Sequence, residues 1–285
     1  MTLPRTSSAV PSTGAMTLIA SLLEQRTGQQ IAANRAWRLE TALKPLLREL
    51  ELETLDDLVA ALVHRREPAL SDRVVDALLN QESSFFRDAA VLEMVAEATA
   101  SLHKERGRRL RIWSAGCSNG QEPLSLAIIA EERGLARDVE IIATDVSHGA
   151  IARARAARFS QFEIQRGMSM HRMIKWFEQE GSDWIADRAL VNRIQFRQHN
   201  LVSDAPPPGG FDIVLCRNVL LYFDGAVRRQ VFDRMTKALR PGGLLVLGAG
   251  ETVIGQTDAF TPSESWRGFY RPATPRAAPL VRAAG

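Results

Sequence analysis

The sequence predicts an α/β protein in which a doubly wound, Rossmann-like parallel sheet follows an all-helical domain and is interrupted by a small inserted β-subdomain. Three observations predict it. From Leu110 onward, short runs rich in Val, Ile and Leu alternate with longer helical stretches, the pattern of parallel strands joined by helical crossovers. Before Asn80 the apolar residues instead recur at intervals of three and four, with no strand-like run. The length of 285 residues leaves room for one large domain and one small one. Hydrophobic residues at 45% and charged residues at 24% exclude globally disordered, collagen-like and coiled-coil chains.

Residues 1–15 and 272–285 are rich in Pro, Ala, Ser and Arg without periodicity and read as disordered tails. The first fifteen residues lack the apolar core of a secretory signal, and nowhere do eighteen apolar residues run together, so no membrane insertion is expected. Leu18, Leu22 and Leu23, then Leu39, Leu43, Leu46 and Leu47, then Leu55, Leu58, Val59 and Leu62 predict about four helices within a helical domain over 16–88. The second would run from Ile31 to Leu50, and the last from Asp72 to Leu79 with Ser71 as its N-cap. A helical linker over 89–105 leads into a sheet domain over 106–271. Its strands are expected at 110–116, 139–145, 193–199, 211–217 and 243–249. Its helices are expected at 122–133, 147–157 and 225–239, the last stopped by Pro241-Gly242-Gly243. Residues 159–190 fit neither period and read as the insertion.

Two cysteines, Cys117 and Cys216, cannot form a disulfide scaffold and have no adjacent His or base, so they read as packing residues in a reduced, cytoplasmic compartment. The net charge of +3 comes from scattered arginines and gives no argument for nucleic acid.

Chemistry is expected where the first strand ends. Ser114 to Gly120 forms a glycine-containing turn before a helix, at the carboxyl edge where doubly wound sheets bind ligands. It is not the dinucleotide G-x-G-x-x-G, and alone it is equally a tight structural turn. The next strand ends at Asp145, whose carboxylate can accept hydrogen bonds from both ribose hydroxyls of a nucleoside; the alternative is an N-cap for the helix beginning near Ser147. No Gly-Lys-Ser/Thr follows, and Glu122 in the first helical turn repels phosphate and suits a cationic ligand, unless it only compensates the helix dipole. S-adenosylmethionine combines a ribose, an ammonium and a sulfonium without phosphate, which makes it the expected cofactor.

At these residues the sequence resembles the chemotaxis receptor methyltransferases of the CheR type, over about residues 16–271. Gln81-Glu82-Ser83-Ser84-Phe85-Phe86-Arg87 resembles the family's Asn-Glu-Thr-x-Phe-Phe-Arg, and Trp113 to Pro123 resembles its Trp-Ser-Ala-x-x-Ser-x-Gly-Glu-Glu-Pro. Ala143-Thr144-Asp145, Asn200-Leu201, Phe211-Asp212, Cys216 to Asp224 and Leu239 to Gly243 follow in the family's order. The resemblance implies a class I methyltransferase fold that uses S-adenosylmethionine, yields S-adenosylhomocysteine and holds no metal. It implies that Gln81, Ser83, Arg87, Gly116, Glu122, Asp145, Asn200, Leu201, Arg217 and Asn218 bind the cofactor, with Arg87 and Tyr222 catalytic. Three departures stand out: Gln81 for Asn, Gln121 for the first Glu of Glu-Glu-Pro, and Gly248-Ala249-Gly250-Glu251 for Gly-His-Ser-Glu. Asn80 is placed to take over the contact of Gln81. Without the resemblance, Phe85 and Phe86 read as core aromatics, Arg87 as a surface charge and Tyr222 as a half-buried aromatic.

The absence of Asp/Asn-Pro-Pro-Tyr/Phe after the fourth strand, and of Pro-Cys, argues for an oxygen acceptor. A glutamate carboxylate, with a pKa of about 4.3, is already an anionic nucleophile at neutral pH and needs no general base. Arg217 or Tyr222 is expected to orient it. The family's acceptors are glutamates of chemoreceptor cytoplasmic helical bundles, and Arg35 and Arg38, with Arg26 upstream, offer a basic docking face, or else a solvated one. The segment Phe177 to Trp184 is short and holds one glycine, so tethering through a receptor's C-terminal peptide is not expected. A monomer is expected. Two rivals remain: a methyltransferase of the same fold acting on RNA or a small molecule, and a catalytically weak module that senses S-adenosylmethionine.

Overall fold

The computed structural model describes residues 13–31, 37–65 and 68–273. Four helices come first: α1 (Thr13–Thr27), α2 (Trp37–Glu49), α3 (Leu55–Arg65) and α4 (Pro68–Leu78). Ile19, Leu39, Leu43, Leu58 and Val74 meet in a core of their own. Helix α1 starts within the expected tail, because Ala15 is buried and the Thr17 hydroxyl donates to the Thr13 carbonyl at 2.8 Å. Helix α2 begins at Trp37 rather than Ile31, and Arg35 lies outside the described residues. Ser71 is not an N-cap. Helix α4 opens three residues earlier at Pro68, whose fixed φ suits a first helical position and whose missing N–H costs nothing there.

The 89–105 stretch is no linker. Helix α5 (Ala89–Arg106) buries Leu92, Val95, Ala98 and Leu102 in the core beneath the sheet, against α6 (Gln121–Glu132). Phe85 and Phe86, expected in the helical domain, join the same core. Strands β1 (Leu110–Ala115), β2 (Val139–Asp145), β6 (Ile194–Gln198), β7 (Phe211–Cys216) and β8 (Leu239–Leu247) lie parallel, with helices α7 (His148–Ala156) and α11 (Gly225–Ala238) among the crossovers. Near-continuous burial along β1, β2 and β7 is what a sheet covered on both faces requires. Two strands that the sequence did not disclose, β9 (Phe260–Pro262) and β10 (Phe269–Pro272), complete the order β6-β2-β1-β7-β8-β10-β9. Strand β10 runs antiparallel to β8, and the Ala273 N–H bonds the Ala259 carbonyl, so the sheet continues past residue 271. Strand order reverses between β1 and β7, and a crevice opens there at the carboxyl ends.

The insertion holds β3 (Arg158–Ser160), α8 (Gln161–Gln165), α9 (Met170–Trp176), β4 (Phe177–Glu180), β5 (Asp183–Ala186) and α10 (Arg188–Val191), with an antiparallel sheet ordered β3-β5-β4. Phe159 and Phe177 meet Phe85 edge-on at 4.9 and 5.5 Å between ring centroids. At the opposite end of the main sheet, Asp212 is fully buried. It accepts from Arg106, from Arg108 at 2.6 and 3.0 Å, from Arg240 at 3.3 Å and from the Arg111 N–H at 2.9 Å. Burial pushes its pKa up, but the Arg108 pairing and the Arg111 N–H outweigh it and hold the carboxyl below the usual aspartate range.

Candidate functional site

The crevice is a cleft open to solvent, and every residue expected to bind cofactor or to act in catalysis lines it. Three strand ends build its floor. After β1, Gly116 has φ 84°, and a Cβ there would lie 2.4 Å from Val219 Cγ2, so only glycine fits. Asp145 ends β2, and its two carboxylate oxygens accept the Ser118 and Ser147 N–H groups at 2.8 and 2.9 Å. It is not the helix cap: Ser147 caps α7 by accepting the Ala150 N–H at 2.9 Å. Asp145 lines the cleft. Burial raises its pKa, against the lowering effect of the Ser147, Ser118 and Val146 N–H donors.

Arg217 follows β7. Its side chain is 2% exposed and bridges Glu122 at 2.9 Å and Asp88 at 2.6 Å, while also donating to the Arg87 carbonyl at 2.8 Å. Glu122 in turn accepts from the Ser114 hydroxyl at 2.8 Å. Both Nη groups are thus held by protein acceptors, while the buried Nε has no partner among the described residues. Arg217 with its two carboxylates leaves this cluster at −1, and Asp145 adds a second negative charge at the cleft. That negative balance fits S-adenosylmethionine, which is net positive, and does not fit a phosphorylated nucleotide.

The family model described as CheR methyltransferase, SAM binding domain, matches residues 81–269. The chain belongs to the CheR methyltransferase family. It is an S-adenosylmethionine-dependent methyltransferase of chemotaxis. The chemotaxis protein methyltransferase Cher2 of Pseudomonas putida is 33% identical over 84% of this chain and 90% of that one. A chemotaxis protein methyltransferase of Vibrio parahaemolyticus is 34% identical over 84% and 89%. A solved TehB-like SAM-dependent methyltransferase from Corynebacterium glutamicum aligns with TM-score 0.33 and 16% identity over 54% of this chain and 62% of that one.

In this CheR protein the far wall of the cleft comes from the segment 79–88. Gln81 donates to the Ser147 hydroxyl at 3.1 Å and accepts at its carbonyl from Ser118 Oγ at 3.0 Å. The Phe86 N–H donates to Ser125 Oγ at 2.9 Å. Phe86 and Asp88 take left-handed φ values of 50° and 54°, and these anchors hold them there. Ser83 lines the cleft, and Arg87 does so as an exposed residue whose guanidinium has no hydrogen-bond partner among the described residues.

Asn200 reaches the cleft, yet its amide donates to the Arg26 carbonyl at the end of α1 at 2.7 Å and accepts the Val202 N–H at 2.8 Å. Its side chain thus docks the helical domain. Leu201 is buried beside it. Tyr222 is half-buried, and its hydroxyl accepts from Asn80 Nδ2 at 2.5 Å. Asn218, at φ 59°, is held by a residue that sequence reasoning noted only as the end of a departing motif. Glu251 accepts the N–H groups of Asn218 at 2.7 Å, Leu220 at 2.8 Å and Gly248 at 2.9 Å. Burial raises both thiols well above the usual range, and Cys117, although it lines the cleft, is no thiolate.

Proposed function

We propose that this CheR protein methylates glutamate carboxylates on the cytoplasmic helical bundles of chemoreceptors, giving methyl esters for chemotactic adaptation, and that it works in the cytoplasm. The observation that carries this reading is the composition of the cleft. In this reading Asp145 anchors the ribose, and among the described residues the other cleft carboxylates, Glu82 and Glu122, are each paired with an arginine, which leaves no evident general base and suits an acceptor that is already an anion. His199 lines the cleft, but its Nε2 is engaged with the Ala205 carbonyl at 3.0 Å, and its Nδ1, without a partner among the described residues, is buried rather than presented to an incoming acceptor. The chain's relatives are named chemotaxis protein methyltransferases.

The cofactor supplies a methyl group on a sulfonium, activated for in-line displacement. The chain supplies positioning and dryness. Asp145 holds the ribose, with Gln81, Ser83, Gly116 and Leu201 around it and Glu122, Asn200, Arg217 and Asn218 fixing the walls. Tyr222, oriented by Asn80, and Arg87 stand at the mouth to steer the incoming carboxylate. Arg87 acts best from a distance, because tight pairing would stabilise the anion in its ground state. The four-helix unit docks the receptor bundle, with Arg38, exposed on α2, part of the contact, and Arg35 beside it in sequence. Strands β4 and β5 join through Gly181-Ser182 alone, a turn too short for a peptide-gripping loop, so no C-terminal tether is needed. Tritiated methyl transfer to a purified receptor cytoplasmic fragment, with label released by mild base, tests the proposal. Base-stable label, or label only on RNA, would refute it.

A further inference from the structure

At the mouth of the cleft one carboxylate is already bound, and it belongs to the protein. Glu82 lines the cleft and pairs with Arg166 Nη2 at 2.5 Å. Arg166 comes from the inserted subdomain, at the turn between α8 and α9. That turn is pressed onto the cleft wall. Gly167 has φ 95°, and a Cβ on it would come within 1.9 Å of the Phe85 carbonyl oxygen, so Arg166 has little freedom to leave. Arg87 and Arg38 also act on Glu82. The Arg166 pairing, with smaller effects of Arg87 and Arg38, holds its carboxyl below the usual glutamate range. Arg166 thus holds by direct pairing a glutamate that lines the cleft.

The pair is exposed, at 47% for the Arg166 side chain and 58% for Glu82, and an exposed ion pair of this kind contributes little to stability. It is easily exchanged. A docking acidic helix presents carboxylates one turn apart on one face. When one enters the cleft as methyl acceptor, the next falls near its mouth, where Glu82 now occupies Arg166.

We propose that Glu82 is a placeholder and that Arg166 forms a second carboxylate subsite that binds an acidic side chain one helical turn from the acceptor glutamate. This rests on the acidic-acceptor reading above and deepens it, giving the inserted subdomain a part in substrate choice. Such charge pairs act chiefly on encounter and selectivity, and salt weakens them.

The test uses the full chain, saturating S-adenosylmethionine and two synthetic helical peptides, each with one acceptor glutamate. One carries a second glutamate four residues away and the other a glutamine there. The parent should prefer the doubly acidic peptide by about tenfold in KM at low salt. Arg166→Met should abolish that preference while kcat and S-adenosylhomocysteine affinity stay at the parent values. Glu82→Gln, a mild change that removes the competitor, should lower KM for the doubly acidic peptide several-fold. All of these differences should shrink as salt approaches about 1 M, where the Debye length is near 3 Å. A Glu82→Gln variant with raised KM or lowered kcat would show that the pair is a structural staple, and an unchanged preference in Arg166→Met would remove the subsite; either result overturns the proposal and leaves glutamate methylation standing. If the parent binds S-adenosylhomocysteine yet methylates neither peptide nor any receptor fragment, the acidic-acceptor reading falls and takes this one with it.

Discussion

Replacing Arg217 by methionine separates a structural clamp from a ligand-binding arginine. The guanidinium lies between Glu122, 15% exposed, and Asp88, 36% exposed. Without it Glu122 keeps only the Ser114 hydroxyl, and the Arg87 carbonyl loses its donor. Breaking a buried pair by removing one partner costs about 3–5 kcal/mol. Asp88 is screened by solvent and adds little, so a loss near the lower end, about 3 kcal/mol, is expected. A second change, Glu122→Gln, keeps an acceptor for Ser114 and removes the stranded charge, and it should recover at least half of the loss. Urea unfolding reads the stability, and calorimetry with S-adenosylhomocysteine reads the site. If Arg217→Met costs less than about 1 kcal/mol of stability while weakening the ligand tenfold or more, about 1.4 kcal/mol, the arginine is a ligand group and the clamp is wrong.

Asp145→Ala should weaken S-adenosylhomocysteine by about 150-fold, from two charge-assisted ribose bonds at about 1.5 kcal/mol each, and calorimetry showing a change within about threefold would discard the assignment. The ribose hydroxyls need the ionised carboxylate, so binding by the parent should be full at neutral pH and fade as pH falls through the raised Asp145 pKa, above the usual aspartate range; a flat profile down to pH 4 would contradict that direction. Gly167→Ala places a methyl 1.9 Å from the Phe85 carbonyl oxygen at a φ of 95°, and it should cost about 2 kcal/mol or more in thermal unfolding and weaken the cofactor as the 81–87 wall shifts. An unchanged midpoint would show that the insertion is not seated on that wall.

What the sequence disclosed follows from range. The strand ending at Asp145 and the turn at Gly116 are local patterns, a β-branched run and a glycine that must take positive φ, and they stand where expected. The Arg217 clamp was not legible, because Glu122 and Asp88 lie 95 and 129 residues away and no local signal joins them. Glu251 was noted only as the last residue of an altered motif, since three backbone N–H groups leave no mark on side-chain composition. Strands β9 and β10, three and four residues long and each ending in proline, offered too little periodicity to read. Ser71 misled because a serine inside the first turn of a helix resembles a cap when the proline upstream is overlooked. Asn200 lines the cleft as expected, but the bond from its amide to the end of α1, 174 residues away, left no local mark.

The stapling of residues 79–88 to Ser118, Ser125, Ser147 and Arg217 decides where this protein can be cut and recombined. A chimera that takes its helical unit from a relative and joins it at 88 would import a foreign cleft wall, with anchors matched to another sheet. A graft joined after Leu78, where α4 ends, keeps the 79–87 wall and the floor from one parent, and of the cleft lining exchanges only Thr27 and Gln29. Even that graft must respect Asp76, which accepts the Gly149 N–H at 3.0 Å, the Gln30 N–H, which bonds the Tyr222 carbonyl at 3.0 Å, and the Arg26 carbonyl, which accepts from Asn200 at 2.7 Å. If the helices dock the receptor as proposed, its preference is portable between relatives only as a package that includes those seams, and a library of swapped helices built without them would be selected first for repairing the joint and only then for choosing a target.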